Sequence, residues 1–219
     1  MALDGVLLID KDEGMTSFEA VRKVKGALRV KKAGHSGTLD KAASGLLIVC
    51  LGRATAIQDL LMKRFKRYHA TLALGQETDT LDRYGRVVRT ADVPHLTETD
   101  VRKVLHRFTG KVRQVPPLFS AIHHEGKRLY RRALSGELPQ IPAREIEIRE
   151  LSLLGMEKGS IRFEVCASKG AYIRSLGRDI AAALGSCGYL TCLRRLQIGR
   201  FSVDDAYRVN DITDKIMVL

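Results

Sequence analysis

Asp40 closes the stretch Gly34-His35-Ser36-Gly37-Thr38-Leu39-Asp40, which places one carboxylate at the end of a glycine-hinged loop. A carboxylate so placed can add covalently to an electrophilic carbon or stabilise an electron-poor species. Two glycines within four residues permit backbone angles that other residues avoid and let a large molecule approach closely. Taken alone, Gly and Asp are ordinary loop residues, and the stretch reads as a solvated turn. A second constellation changes that reading. Ser168-Lys169-Gly170-Ala171-Tyr172-Ile173-Arg174 sets a guanidinium in the first turn of a helix behind a glycine-containing loop. An arginine near Asp40 would hold the carboxylate charged against desolvation; by itself Arg174 is one more phosphate contact or surface ion pair. Tyr68, at the end of Lys63-Arg64-Phe65-Lys66-Arg67-Tyr68, offers a ring for stacking. Its bland alternative is a half-buried strand tyrosine.

The elements that must position these groups are readable from periodicity. Residues 5–9 form a short apolar strand, and Thr16 with Glu19 has the spacing of a capping box. The helix that follows is expected to turn Phe18, Val21, Val24 and Leu28 inward. The Asp40 loop runs into an apolar strand over 46–51, followed by a short helix over 54–62. From Tyr68 the pattern becomes period two, with Ala70, Leu72 and Leu74 on the same face. The polar stretch 75–85 reads as a loop, 86–89 as a strand and 97–108 as a helix. Strands are expected over 144–154 and 161–165, a helix over 171–184, and a last strand around Leu193, Leu196 and Ile198. Strands and helices mix without strict βαβ alternation, so the fold class is α+β with a mixed, largely antiparallel sheet flanked by helices.

With 219 residues, 45% of them hydrophobic, the chain is long enough for a substantial core. Its 37 Lys and Arg against 25 Asp and Glu give a net charge of +12, which suits a polyanionic partner. The clusters 63–68 and 127–132 interleave aromatic and basic side chains, as phosphate contacts beside base stacking would require; a solvated helix face is the alternative for either. Cys50, Cys166, Cys187 and Cys192 make no C-x-x-C pair and read as buried small side chains or free thiols. No histidine pair has the i, i+4 spacing of a helical metal site, so no metal is expected. No apolar run resembles a leader or a membrane span, and a reducing, cytoplasmic location is expected.

Taken together, the Asp40 and Arg174 motifs, Lys66-Arg67-Tyr68, Gln114-Val115-Pro116-Pro117-Leu118-Phe119-Ser120-Ala121, residues 5–11, residues 74–82, Tyr130 and Leu193-Arg194-Arg195-Leu196 resemble the TruB family of pseudouridine synthases, in order and at similar spacing. The resemblance spans most of the chain. It implies the pseudouridine synthase catalytic fold over 1–219; family members commonly continue into a C-terminal PUA-like RNA-binding domain, which is not expected in this chain. It implies isomerisation of uridine-55 in the T arm of tRNA by base flipping and an aspartate-dependent rearrangement of the glycosidic bond. In that reading Asp40, Tyr68 and Arg174 are catalytic. Tyr68 also stacks on the flipped base and offers its hydroxyl to handle the C5 proton, Tyr172 and Leu193 line its pocket, His35 inserts where flipped bases leave the stack, and Lys11 lies near the site. No cofactor is implied, since the isomerisation has no redox or phosphate step. The expected partner is the tRNA T-arm stem-loop, with no metal, no membrane and no obligatory protein partner, and the chain is expected to be a monomer. Departures are Asp12 and Lys41 for the family's prolines, Ser44 for its threonine and Tyr84 for an aspartate. The competing readings are a guide-RNA-dependent catalytic subunit and a catalytically silent RNA-binding or folding protein.

Overall fold

The computed structural model describes the whole chain except residues 1, 2, 121, 122, 125, 126, 130–134, 136, 138, 214, 215, 217 and 219, with the backbone alone at 123, 124, 127 and 128. Ala121, Tyr130 and most of the 127–132 cluster therefore lie outside the described residues. The elements run β1 (Gly5–Lys11), α1 (Ser17–Ala27), β2 (Ala33–His35), β3 (Ser44–Leu51), α2 (Gln58–Met62), β4 (Lys66–Leu74), β5 (Gln76–Thr78), β6 (Val87–Thr90) and α3 (Glu98–Arg107). They continue with β7 (Gly110–Gln114), β8 (His123–His124), β9 (Lys127–Arg128), β10 (Arg144–Glu157), β11 (Ser160–Ala167), α4 (Ile173–Ala183), β12 (Gly188–Ile198), β13 (Phe201–Ser202) and β14 (Tyr207–Arg208). This is an α+β fold with largely antiparallel pairing. Two compact units divide it: residues 1–68 with 193–219, and residues 69–192.

In the first unit β1 and β3 pair antiparallel from Gly5↔Leu51 to Lys11↔Gly45. β14 joins β1 in parallel, and β12 joins β3 in parallel at Arg194↔Ser44 and Arg195↔Gly45. Both faces of the pair are covered, so both strands read as unbroken apolar runs. Leu7, Ile9, Leu47, Val49 and Leu51 pack with Ala20, Val21 and Val24 of α1, while Val6, Leu8, Leu46, Ile48 and Cys50 pack with Leu61, Ile198 and Val203. Fully burying one such side chain contributes roughly 1.5–3 kcal/mol.

Helix α1 starts where the sequence indicates: the Thr16 hydroxyl accepts from the Glu19 N–H, and Glu19 returns the bond to the Thr16 N–H. Val21 and Val24 face inward as expected and Leu28 packs against the same cluster, but Ser17 and Ala20 complete the buried face and Phe18 is 72% exposed. The cause is polar. Ser17 takes the inward place because its hydroxyl accepts from Leu39 N–H (2.8 Å) and donates to Leu39 C=O (3.1 Å).

In the second unit β10 pairs with β11 and with β7, both antiparallel. Ile161, Phe163, Val165 and Ala167 alternate inward along β11, while Val101, Val104 and Leu105 of α3 and Ile173, Leu176 and Ile180 of α4 are buried. The stretch expected to be all loop contains β5, paired with β6. Its polar residues are strand-forming because Asp79 and Asp82 bond inward onto the turn: Asp79 Oδ1 accepts from Arg86 N–H, and Asp82 Oδ1 from Thr80 Oγ1 and Tyr84 N–H. Strand β12 also begins earlier than expected, at Gly188. There a Cβ would meet Ala73 O at 2.7 Å and the Ala181 and Leu72 side chains at 2.8 Å, so close packing requires glycine.

Candidate active site

The loop that carries Asp40 is braced at nearly every peptide. Gln58 Nε2 donates to His35 C=O (2.8 Å), Arg195 Nη2 to Gly37 C=O (3.1 Å) and Arg195 Nη1 to Thr38 C=O (3.4 Å). Ser17 holds both backbone groups of Leu39, Ala43 N–H returns to Asp40 C=O, and Gly14 N–H donates to Lys41 C=O. Lys11 Nζ donates to Ala43 C=O as well as to Met15 C=O (2.6 Å) and Asp12 C=O (2.9 Å). Gly37, at φ +101°, makes the bend that only glycine adopts readily.

Asp40 itself is half-buried, and its negative charge acts on two buried cations, Lys11 and Arg195. Lys11 is fully buried. Desolvation first, and the Arg195 charge second, push its ammonium down to about 8, with Asp40, Asp12 and Glu19 acting in the opposite sense. Arg195 is 1% exposed, and its guanidinium shares a hydrogen bond with the Tyr68 hydroxyl. Tyr68 lies on β4 and is 8% exposed. His35 is half-buried at the end of β2; burial, then the Arg195 charge, hold its imidazole below the ordinary value, with the Gly37 backbone acting in the opposite sense. Leu193, 9% exposed, is two residues before Arg195 on the same face of β12.

The first unit thus brings together Asp40, Tyr68, Lys11 and His35 of the residues singled out from sequence, around an arginine to which the sequence assigned no role. A signal for Arg195 was available: it shares strand parity with Leu193, which marks an inward position for a charged side chain. Lys66, read within a basic surface cluster, is instead buried, and its ammonium caps Met62 C=O (2.6 Å) and Arg64 C=O (2.7 Å) at the end of α2.

Arg174 and Tyr172 belong to the second unit. Tyr172 is the N-cap residue of α4 and has no side-chain cap; Gln114 clamps its backbone instead, accepting from its N–H (2.8 Å) and donating to its C=O (3.1 Å). Ser168 ties the approach to α4 onto β10 through Glu147 N–H and C=O. Arg174, in the first turn, is 4% exposed and donates to Thr80 C=O (2.7 Å) and Phe119 C=O (3.1 Å). It therefore braces the turn that includes Leu81, a non-glycine residue at φ +60°.

A carboxylate on a braced loop, with a tyrosine, a lysine and an arginine gathered about it, is equipment for carboxylate-dependent catalysis. The profile described as TruB family pseudouridylate synthase (N terminal domain) matches residues 25–173, and the chain belongs to that family. It is 46% identical over 210 residues to tRNA pseudouridine synthase B of Hydrogenovibrio crunogenus, covering 96% of this chain and 69% of the relative. The corresponding protein of Bordetella avium is 45% identical over 206 residues, covering 93% and 84%. Among solved structures, a chain of a Cbf5-Nop10-Gar1 complex superposes with a TM-score of 0.75 at 31% identity, covering 96% of this chain. This chain spans about half of that one, 54% of its length.

Proposed function

We propose that this chain isomerises uridine to pseudouridine in tRNA, at uridine-55 of the T arm. The observation that carries the proposal is the Asp40 loop, braced from several directions by Ser17, Gln58, Lys11 and Arg195, the last of which also bonds Tyr68, in a chain 46% identical to a relative named for this reaction. The reaction breaks the bond from ribose to N1, turns the base and joins the sugar to C5; N1 gains the proton that C5 loses. It needs a group that attacks or stabilises an electron-poor intermediate, and the reading gives that work to Asp40.

Arg174, by family resemblance, keeps the reacting carboxylate charged. Tyr68 stacks on the flipped uracil and handles the C5 proton, Tyr172 and Leu193 bound the base pocket, and His35 enters the stack that the flipped bases leave. Burial and the Arg195 charge both disfavour a second cation at His35, which suits that insertion. The net charge of +12 supports the phosphate backbone as partner. The reading includes a chain that acts as a monomer, with no obligatory protein partner.

Purified protein incubated with an unmodified T-arm stem-loop tests the proposal. Formation of pseudouridine without guide RNA or added protein is expected. Activity only with a guide would favour the guide-dependent alternative, and tight binding without product would favour a silent RNA-binding protein.

A further inference from the structure

Arg195 is a costly side chain to bury. Its guanidinium is 1% exposed, and burying a cation costs several kcal/mol unless charges and hydrogen bonds offset it. As filler, a hydrocarbon of similar size would be cheaper. What an arginine adds is five N–H donors in a rigid plane and no acceptor.

Those donors are distributed in a telling way. Nε–H goes to Leu46 C=O (2.7 Å), at the head of β3, Nη2 to Gly37 C=O and Nη1 to Thr38 C=O. The same guanidinium bonds the Tyr68 hydroxyl, and because arginine can only donate, the phenolic oxygen accepts. One rigid group therefore touches both ends of the Asp40 loop and the oxygen of Tyr68.

The backbone beneath Arg195 is equally fixed. Arg195 pairs in parallel with Gly45, where an added Cβ would meet Arg195 O at 2.2 Å and Arg195 N at 2.7 Å. Its neighbour Arg194 forms a two-pronged ion pair with Asp10 of β1, at 2.9 and 2.8 Å. The fork is thus anchored at its base as well as its tip.

We infer that Arg195 is a positioning residue that sets Asp40 against Tyr68, holding the loop carbonyls and the tyrosine oxygen in one plane. It rests on the proposed roles of Asp40 and Tyr68. A point charge in its place cannot reproduce the fork, so Arg195→Lys keeps the charge and loses the geometry.

The test is Arg195→Lys, with circular dichroism and melting to establish folding, equilibrium binding of an unmodified T-arm stem-loop, and single-turnover rate. Binding within about threefold of wild type, with a rate reduced at least 100-fold, is expected. A rate within threefold of wild type would overturn the inference. Should Arg195→Lys fail to fold, Tyr68→Phe leaves Arg195 in place: loss of the accepting hydroxyl must shift the Arg195 side-chain nitrogen resonances, and unchanged resonances would sink the idea. Asp40→Asn, run in parallel, separates the two readings. An active Asp40→Asn refutes the site itself, whereas an inactive one beside a fully active Arg195→Lys refutes only the positioning role.

Discussion

The ammonium of Lys11, on β1, donates to the carbonyl of Ala43, three residues beyond Asp40. With Asp12 and Met15 as its other acceptors, all three of its protons are used, so the charged form is the one that closes the turn onto the Asp40 loop. Burial opposes that charge. Lys11 thus serves the loop at a cost to stability.

The cost has a sign that titration reads. The folded value of about 8 lies below the ordinary 10.5, so between those limits the unfolded chain binds the extra proton. Stability from this group is therefore present above pH 10.5, grows as pH rises through the interval and is lost as pH falls toward 8. Urea midpoints of wild type and Lys11→Met, measured at intervals from about pH 7.5 to 10.5, should show the wild type gaining on the variant as pH rises. Parallel curves would show that Lys11 is not so depressed.

Asp40→Asn preserves size and removes the charge and nucleophilicity. Pseudouridine formation should fall below detection while stem-loop affinity stays within about threefold, since the loop is braced through backbone groups that the substitution leaves alone. Turnover and binding of T-arm RNA measure both, with mass spectrometry excluding deamidation back to aspartate. Substantial turnover by the intact Asp40→Asn variant would remove Asp40 from the mechanism.

The two faces of Tyr68 can be separated. Tyr68→Phe keeps the ring, and Tyr68→Leu does not; both lose the hydroxyl that accepts from Arg195. Both should lose most of the chemistry, but Phe should bind the stem-loop better by about 1–3 kcal/mol, the worth of one base–aromatic stack. Equal affinities would mean that the ring serves only the core, where its 8% exposure would also place it.

Much of this arrangement was legible because local rules and tertiary structure agree. The capping box at Thr16 and Glu19, the apolar runs of β1 and β3 and the alternation of β11 are each stated by neighbouring residues. What escaped was set by partners distant in sequence. Ser17 faces inward because of Leu39, the acidic turn after β5 is structured by its own carboxylates, and Lys66 is drawn in to cap α2. Arg195 is hard to read because a pair of arginines in a basic chain looks like surface; its parity with Leu193 is the one local sign, and the register against Gly45 fixes it inside. Asp79 and Asp82, in the stretch 74–82 that carries part of the resemblance, organise the β5–β6 turn in the structure.

Association with RNA should be strongly electrostatic. Helix α1 exposes Arg22, Lys23 and Lys25, and Ser17 at its start is bonded directly to Leu39, so this basic face is tied to the loop that carries Asp40. Each phosphate neutralised releases counterions and adds about 0.7–0.9 to the slope of log affinity against log salt. Stem-loop titrations at several salt concentrations should give a steep negative slope for wild type. Arg22→Ala with Lys25→Ala should flatten it by about 1.4–1.8 if both contact phosphate, with the single-turnover rate at saturating RNA unchanged because neither side chain bonds the Asp40 loop. An unaltered slope would place the phosphate track elsewhere on the chain, and a wild-type affinity insensitive to salt would contradict backbone recognition altogether.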